Sequence, residues 1–262
     1  MHWAEEYKTS RLRKRRPLGA INLSMSRTVI ESRTLDEFVL YVTRSAENRS
    51  WKDGFILYRG QKNSKWGLIP KIARQRLEKD FLDKEIDKLN EFKRLGRPFI
   101  ENSILSDYWD LVALAQHYGL STRLLDWTTN PLVALWFAFI EIDTTIKNRA
   151  VWLLFLDRAD IADIANGSPF DQKRTKAFRP SHITSRITAQ SGWFTTHKFL
   201  KTTSRFVRLN SNRVYKDRLI KFEIPNKERN EILKGLDVLG VNVFTLFPDL
   251  DGLSKYLESL YK

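Results

Sequence analysis

Apolar and polar residues alternate along the chain in a way that predicts a mixed succession of strands and helices. Short apolar, β-prone runs predict four strands, over residues 54–58, 124–128, 150–156 and 218–224. Apolar residues at three- and four-residue steps between Arg74 and Lys93 predict an amphipathic helix. A weaker alternation on either side of Gly192 predicts two more strands, 186–190 and 193–196, separated by a bulge or tight turn.

Capping residues predict where further helices begin and end. Helix starts are predicted at Thr34, Asp107, Asn130, Asn226 and Asp249. Pro131 supports the third of these helices, and because its residues through Phe139 are almost all apolar, we expect that helix to be buried. Gly119 and Gly240 are suited to end the second and the fourth.

The composition limits the class of protein. With 262 residues, of which 42% are hydrophobic, the chain can bury a core of its own. No cysteine is present, which excludes a disulfide framework, thiolate metal sites and a cysteine nucleophile. The longest apolar run, 131–140, is about half the ~20 residues that a membrane-spanning helix needs, and the N-terminus lacks the apolar stretch of a signal peptide. We therefore predict a basic N-terminal tail over 1–29 and a single cytoplasmic domain over 30–262, without a membrane partner.

Positive charge is concentrated in one part of the chain. The formal net charge is +14, and the segment from Asp171 to Lys221 alone has 13 Lys or Arg against two acidic residues. Such a concentration attracts polyanions, so the predicted partners are nucleic acid, an acidic protein or a phosphate-bearing small molecule. The other interpretation is a solvated face that keeps the protein soluble. The candidate nucleic-acid-binding residues are Lys173, Arg174, Arg179, Arg186, Lys198, Lys201, Arg205, Arg208 and Arg213.

Several motifs of known chemistry are absent from the sequence, so the candidates are polar residues set into apolar segments. There is no P-loop, no G-x-G-x-x-G, no H-E-x-x-H and no G-x-S-x-G, and the four histidines are too widely spaced to predict a zinc site of histidines alone. The first candidate is Arg59, between Tyr58 and Gly60 at the end of a predicted buried strand. Its guanidinium either pairs with an internal carboxylate, Asp126, or faces a cleft, where its donors suit a phosphate or carboxylate. Gly60 would let the backbone approach a ligand closely.

Residues 116–128 form a second and denser group, with eight polar or amphipathic side chains between two apolar helices. This density predicts a polar pocket with an aromatic wall. The alternative is that His117 is a core histidine and that Asp126 caps the helix starting at Pro131. A third group is Arg186 with residues 190–194, whose aromatic side chains either stack a base or belong to the core of a strand.

Together these segments resemble the FRG domain, a bacterial and phage family named for its (F/Y)RG motif. The resemblance runs from residues 58–60 through 116–119 and 122–128 to 246–253, and covers roughly residues 54 to 258. The bacterial and phage setting of the family implies a toxin or a role in phage defence.

A looser resemblance is to arginine-type ADP-ribosyltransferases. It implies an α+β fold with an ADP-ribosyltransferase-like split mixed β-sheet core and flanking helices, NAD as cofactor, and glycosyl transfer as the chemistry if the protein is an enzyme. In this resemblance Arg59 grips the NAD phosphates or ribose. The family has a glutamate on its third strand, where this sequence has Gln190, and Asp126 is the other candidate for stabilising positive charge on the sugar.

The sequence therefore predicts a cleft for NAD or another nucleotide. The candidate catalytic residues are Arg59, Asp126 and Gln190. The candidate cofactor-binding residues are Tyr58, Arg59, Gly60, Gln116, His117, Tyr118, Thr122, Arg123, Trp127 and Thr128. Two rival interpretations are a non-enzymatic nucleic-acid-binding module, which needs only the basic segment and its aromatic residues, and a metal-dependent nuclease using Asp126, for which no paired-carboxylate motif is present.

Overall fold

The computed structural model describes residues 29–47, 54–74, 77–78, 80–181 and 184–261. Of the predicted basic tail, only Val29 lies within these residues, as the first residue of a strand. Within the described residues, none of the helices combines the length and the apolar character needed to cross a membrane.

The described residues form an α+β fold with a mixed sheet of seven strands and flanking helices. The strands are β1 (Val29–Glu31), β2 (Phe55–Gln61), β3 (Leu124–Thr128), β4 (Asn148–Leu156), β5 (Lys176–Phe178), β6 (Gly192–Thr196), β7 (Phe199–Leu200), β8 (Arg205–Phe206) and β9 (Leu219–Pro225). The sheet has the order β1-β9-β4-β2-β3-β6-β5, and β7 pairs with β8 in a separate hairpin. The β1–β9 pair is parallel and the other pairs of the large sheet are antiparallel.

The helices are α1 (Leu35–Glu47), α2 (Phe81–Gly96), α3 (Asn102–Ser106), α4 (Tyr108–His117), α5 (Pro131–Phe139), α6 (Ser185–Ala189), α7 (Arg229–Val238), α8 (Val243–Leu246) and α9 (Leu250–Leu260). The predicted caps are confirmed at Asp107, Asn130 and Asp249, whose side chains accept hydrogen bonds from backbone N–H groups of the helices that follow. Asn226 does not cap α7. Its side chain instead accepts a hydrogen bond from Arg149 Nε, and a turn of 3₁₀-helix precedes the α-helix.

The large sheet is splayed in its middle. Seven residue pairs join β2 to β4, and five join β3 to β6, but β2 and β3 are in register only at Tyr58 and Thr128. The two neighbouring strands therefore diverge on one side of this pair. The backbone N–H and C=O groups on their facing edges need hydrogen-bond partners other than the neighbouring strand.

Helix α5 lies against one face of the sheet and is buried, as predicted. Its residues Leu135, Ala138 and Phe139 are completely shielded from solvent. Side chains that alternate along β4 enter two different apolar clusters, Val151 with the α5 side and Trp152 with the opposite side. Because β4 is covered on both faces, its sequence is a continuous apolar run and not an alternating one.

One predicted helix begins later than expected, and one predicted strand was wrong. The amphipathic helix is confirmed as α2, but it begins at Phe81 and not at Arg74, which is the last residue of a short 3₁₀-helix. The strand predicted over 186–190 is the short helix α6. Its start is capped by Thr184, whose Oγ1 accepts a hydrogen bond from Ile187 N, so a local capping interaction prevails over a weak alternation.

Candidate functional site

A cleft of about 550 Å³ lies where the sheet is splayed. It brings together residues of β2, β3, β6, α5, α6 and the end of α4 with the segment after α8. Of the sequence-predicted residues it is lined by Tyr58, Arg59, Gly60, Gln116, His117, Asp126, Trp127, Thr128, Arg186 and Gln190. Most of the predicted site is thus assembled around one cavity, although these residues come from segments far apart in the chain.

Arg59 bridges the gap between β2 and β3. Its Nη1 donates to the backbone carbonyl of Asp126 at 2.6 Å and lies 3.3 Å from Asp126 Oδ2. Strand β2 extends through Gly60 to Gln61, so Arg59 lies within the strand and not after it as the sequence predicted. The two alternatives drawn from the sequence are both realised, because the guanidinium pairs with Asp126 and also lines the cleft.

The Arg59–Asp126 pair is asymmetric in its exposure. The Arg59 side chain is 14% exposed, whereas that of Asp126 is 62% exposed. A carboxylate so open to water contributes little to stability through its ion pair, since solvent screens the interaction. Arg59 Nε is buried and has no hydrogen-bond partner within the part of the chain that the structure describes. An unsatisfied buried donor is costly, so the position of this side chain is poorly explained by stability alone.

A chain of hydrogen bonds orients the Asp126 carboxylate. Gln116 Nε2 donates to Asp126 Oδ1 at 2.5 Å, and the hydroxyl of Thr122 donates to Gln116 Oε1. Thr122 is 3% exposed and does not line the cleft. Its place is behind Gln116, where it fixes which amide atom faces the carboxylate.

Two cations of the cleft were missed by the sequence analysis, Lys62 and Arg74. Lys62 pairs with Glu141 at 2.5 Å, so its charge is matched. Arg74 has no carboxylate within ion-pair distance in the described residues, and burial, followed by the charge of Arg59, lowers the pKa of its guanidinium. No signal in the sequence distinguished Arg74 from the other charged residues of a predicted amphipathic helix.

Aromatic residues form part of the cleft wall. Trp66 is 42% exposed, and Lys62 Nζ lies 5.6 Å from the centre of its ring. Trp193 is half-buried and packs on Phe55, with ring centres 4.9 Å apart. Phe194 is 5% exposed and mainly a core residue, which agrees with the second interpretation of that group.

Two aromatic residues predicted to bind the cofactor are not well placed to stack on it. Tyr118 is 71% exposed and does not line the cleft. Trp127 does line it but is 3% exposed, and its indole Nε1 donates to Thr195 Oγ1 at 3.0 Å.

Arg123 lies in the core and not in the cleft. It is 1% exposed, and two of its nitrogens contact the two carboxylate oxygens of Glu85, at 3.0 and 2.5 Å. Phe170 covers one face of the guanidinium at 4.7 Å. A residue predicted to bind a cofactor therefore anchors α2 to the start of β3.

Three further predicted residues, His117, Arg186 and Gln190, lie at the side of the cleft formed by α4 and α6. Burial, then the charge of Arg186, lowers the pKa of His117, so this imidazole is mainly neutral at pH 7. Arg186 pairs with Asp249 at 2.6 Å. The Gln190 amide donates to the backbone carbonyl of Leu246 at 3.2 Å.

We expect acid to destabilise the protein through His197, which is 1% exposed and lies 3.1 Å from Thr195 Oγ1. Burial, followed by the charge of Arg59, lowers the pKa of His197 from 6.5 to about 3. Because the unfolded chain binds this proton more readily, stability present above pH 6.5 is lost as the pH falls toward 3, and the loss reaches about 2 kcal/mol at pH 5.

Urea unfolding of the protein and of His197→Gln, each at about pH 7.5 and pH 5, measures this loss. A glutamine side chain does not titrate, so the difference in unfolding free energy between the two pH values should shrink by about 2 kcal/mol in the variant. An unchanged difference would mean that His197 is not buried as a neutral imidazole.

The basic segment divides into paired and unpaired cations. Arg174 contacts Asp160 at 2.6 Å and Arg186 contacts Asp249, so both charges are matched. Six of the predicted nucleic-acid-binding residues are exposed and have no carboxylate within ion-pair distance in the described residues, namely Lys173, Lys198, Lys201, Arg205, Arg208 and Arg213. Arg179 is also exposed, at the end of β5.

Among the described residues, no group of three or more His, Asp or Glu side chains is placed to hold a metal ion.

Comparison with known proteins gives one match. The model of the FRG domain family matches residues 55–146, which run from the start of β2 to the segment after α5 and include Arg59, Arg74 and Asp126. No curated protein matches the chain. No solved structure matches it either. The C-terminal part of the resemblance, at residues 246–253, lies beyond the matched range.

Proposed function

This chain contains an FRG domain, and we propose that the cleft at its splayed sheet binds NAD or another nucleotide through the nucleotide phosphates. The observation that carries the proposal is the pair Arg59 and Arg74. Both guanidinium groups line one cavity, and the Asp126 carboxylate beside Arg59 is largely exposed to water.

Two guanidinium groups facing the same cavity favour a ligand with more than one negative charge. The charge of Arg59 helps to lower the pKa of Arg74, and the smaller opposite effect of Asp126 does not cancel it, so the two guanidinium groups repel each other. A pyrophosphate between them would replace this repulsion with charge-assisted hydrogen bonds. The planar donors of arginine suit such phosphates better than the point charge of lysine does.

A carboxylate of the cleft matches the ribose of a nucleotide. The Asp126 carboxylate is held in place by Gln116 and open to solvent, so it can accept hydrogen bonds from ribose hydroxyls. These features support the proposal that the cleft holds a nucleotide.

Isothermal titration calorimetry with NAD and with ADP-ribose tests the proposal. We expect Arg59→Gln and Arg74→Gln each to weaken binding by about 10- to 100-fold, the effect of losing charge-assisted hydrogen bonds of about 1.5–3 kcal/mol. Lys234→Gln removes an exposed charge from α7, outside the cleft, and should bind like the unmodified protein.

If neither ligand binds, or if the two cleft variants bind them as tightly as Lys234→Gln does, the assignment of this cleft fails. Release of nicotinamide from NAD, measured in the same samples, distinguishes a binding protein from a glycosyl transferase. In the transferase, Asp126→Asn would abolish release while leaving the protein folded, since the carboxylate is exposed.

A further inference from the structure

The β7–β8 hairpin has an apolar side and a basic side. Phe199 and Phe206 are paired across the hairpin and buried against Ile72 and Phe81. Because side chains alternate along a strand, the neighbours of these phenylalanines point the other way. Lys198 and Arg205 are accordingly exposed, and Lys201 is exposed in the turn between the strands.

We call the exposed residues Lys198, Lys201, Arg205 and Arg208 the hairpin surface. None of these four side chains has a carboxylate within ion-pair distance in the part of the chain that the structure describes. The sequence contains no acidic residue between Gln172 and Lys216. Two acidic residues beside Phe81, Glu78 and Asp80, are both paired with Lys84. The hairpin surface can therefore bind an external anion.

The hairpin surface is continuous with the rim of the cleft. Leu209 N donates to the carbonyl of Leu68 at 2.8 Å, so the segment after β8 is fastened to the loop that follows β2. Arg208 lies across Gly67, with its Cδ only 2.8 Å from the point where a Cβ of residue 67 would be. The residue before Gly67 is Trp66, the exposed aromatic side chain of the cleft wall.

From this arrangement we infer that the hairpin surface binds the phosphate backbone of a single-stranded nucleic acid, with Trp66 as a platform on which a base stacks. Cations that follow a backbone next to an exposed aromatic ring are what single strands require, because their bases are free to stack. A duplex hides its base faces and would use only the cations. This inference rests on the proposed function. The single-stranded nucleic acid would be the substrate that the protein presents to the nucleotide bound in the cleft.

Fluorescence anisotropy with a labelled single-stranded oligodeoxynucleotide, titrated over a series from about 50 to 200 mM salt, tests the inference. Arg205→Ala/Arg208→Ala should lower the affinity at least roughly tenfold and reduce the slope of log K against log salt by about 1.4, which is about 0.7 for each lost phosphate contact. Lys198→Ala/Lys201→Ala should have a similar effect. Trp66→Ala should weaken binding of the single strand without changing the slope.

The matched control is Arg33→Ala/Lys234→Ala, which removes two exposed cations near α1 and α7 and should leave binding unchanged. The inference is overturned if this control weakens binding as much as the hairpin variants do, or if the protein does not bind the oligonucleotide. Equal binding of a duplex with no effect of Trp66→Ala also contradicts it, and so does equally tight binding of polyglutamate, which would indicate an acidic protein partner.

Calorimetry with NAD separates this inference from the proposed function. The hairpin variants should retain nucleotide binding, because the four residues do not line the cleft. Oligonucleotide binding without any NAD binding would refute the nucleotide site and leave the hairpin surface in place. NAD binding without oligonucleotide binding would refute the role of the hairpin surface and leave the nucleotide site in place.

Discussion

Arg123→Met is expected to destabilise the protein by about 3–5 kcal/mol, because it leaves the Glu85 carboxylate buried without its partner. The side chains of Arg123 and Glu85 are 1% and 4% exposed, and the guanidinium makes two hydrogen bonds to the carboxylate. Neither charge is screened by water, so the loss of one leaves the other with its full desolvation cost. Urea unfolding followed by circular dichroism at neutral pH measures the change.

The double variant Arg123→Met/Glu85→Leu is the control for this prediction. Replacing both members of a buried ion pair with apolar side chains of similar size is often neutral or stabilising, so the double variant should recover most of the loss. A single variant that loses less than about 1 kcal/mol, in the range of exposed pairs, would show that the pair is solvated and that Arg123 is free for a ligand.

Gly60→Ala is expected to cost at least about 3 kcal/mol and to prevent normal packing of α5 on the sheet. A Cβ at residue 60 would lie 2.0 Å from the carbonyl oxygen of Ala134 and 2.6 Å from the backbone nitrogen of Ala138. Both obstacles are helix backbone, which cannot rotate away as a side chain can. The glycine of the Tyr58–Arg59–Gly60 motif is therefore required by the close approach of α5 to β2.

Gly96→Ala makes the same chemical change at the end of α2 and should be neutral or slightly stabilising. Its Cβ would meet only the end of the Ile100 side chain, which can move, and alanine favours helix over glycine by about 1 kcal/mol. Thermal unfolding of the two variants side by side gives the comparison. Equal melting temperatures would contradict the close contact between β2 and α5.

Much of the fold follows from local sequence. The strand at 124–128 and the helix from Pro131 to Phe139 are confirmed with the predicted bounds, because an apolar run and a strong cap coincide there. The strand β1, the hairpin β7–β8 and helix α8 were not predicted. These strands and the helix are each only two to four residues long, and they depend on contacts with other parts of the chain, which a local pattern does not contain.

The sequence could predict many of the residues that line the candidate site, but not which way each side chain points. The sequence indicated that Arg59 and Asp126 come together, since a buried arginine needs a carboxylate. It gave no way to tell that Arg123, which is close in sequence to the cleft-lining residues of β3, points into the core toward Glu85. Gly60 was interpreted as a point of ligand approach, and the structure shows that helix α5 fills the space beside it.

The splayed sheet has a mechanical consequence. Strands β2 and β3 are tied to each other by one residue pair and by the Arg59 side chain, where a regular sheet would have a ladder of backbone bonds. Moving a guanidinium from one hydrogen-bond acceptor to another costs much less free energy than breaking and re-forming a ladder of backbone hydrogen bonds. An anion that draws Arg59 away from the Asp126 carbonyl would therefore alter the spacing of the two halves of the sheet, so occupancy of the cavity and its width are coupled through one side chain.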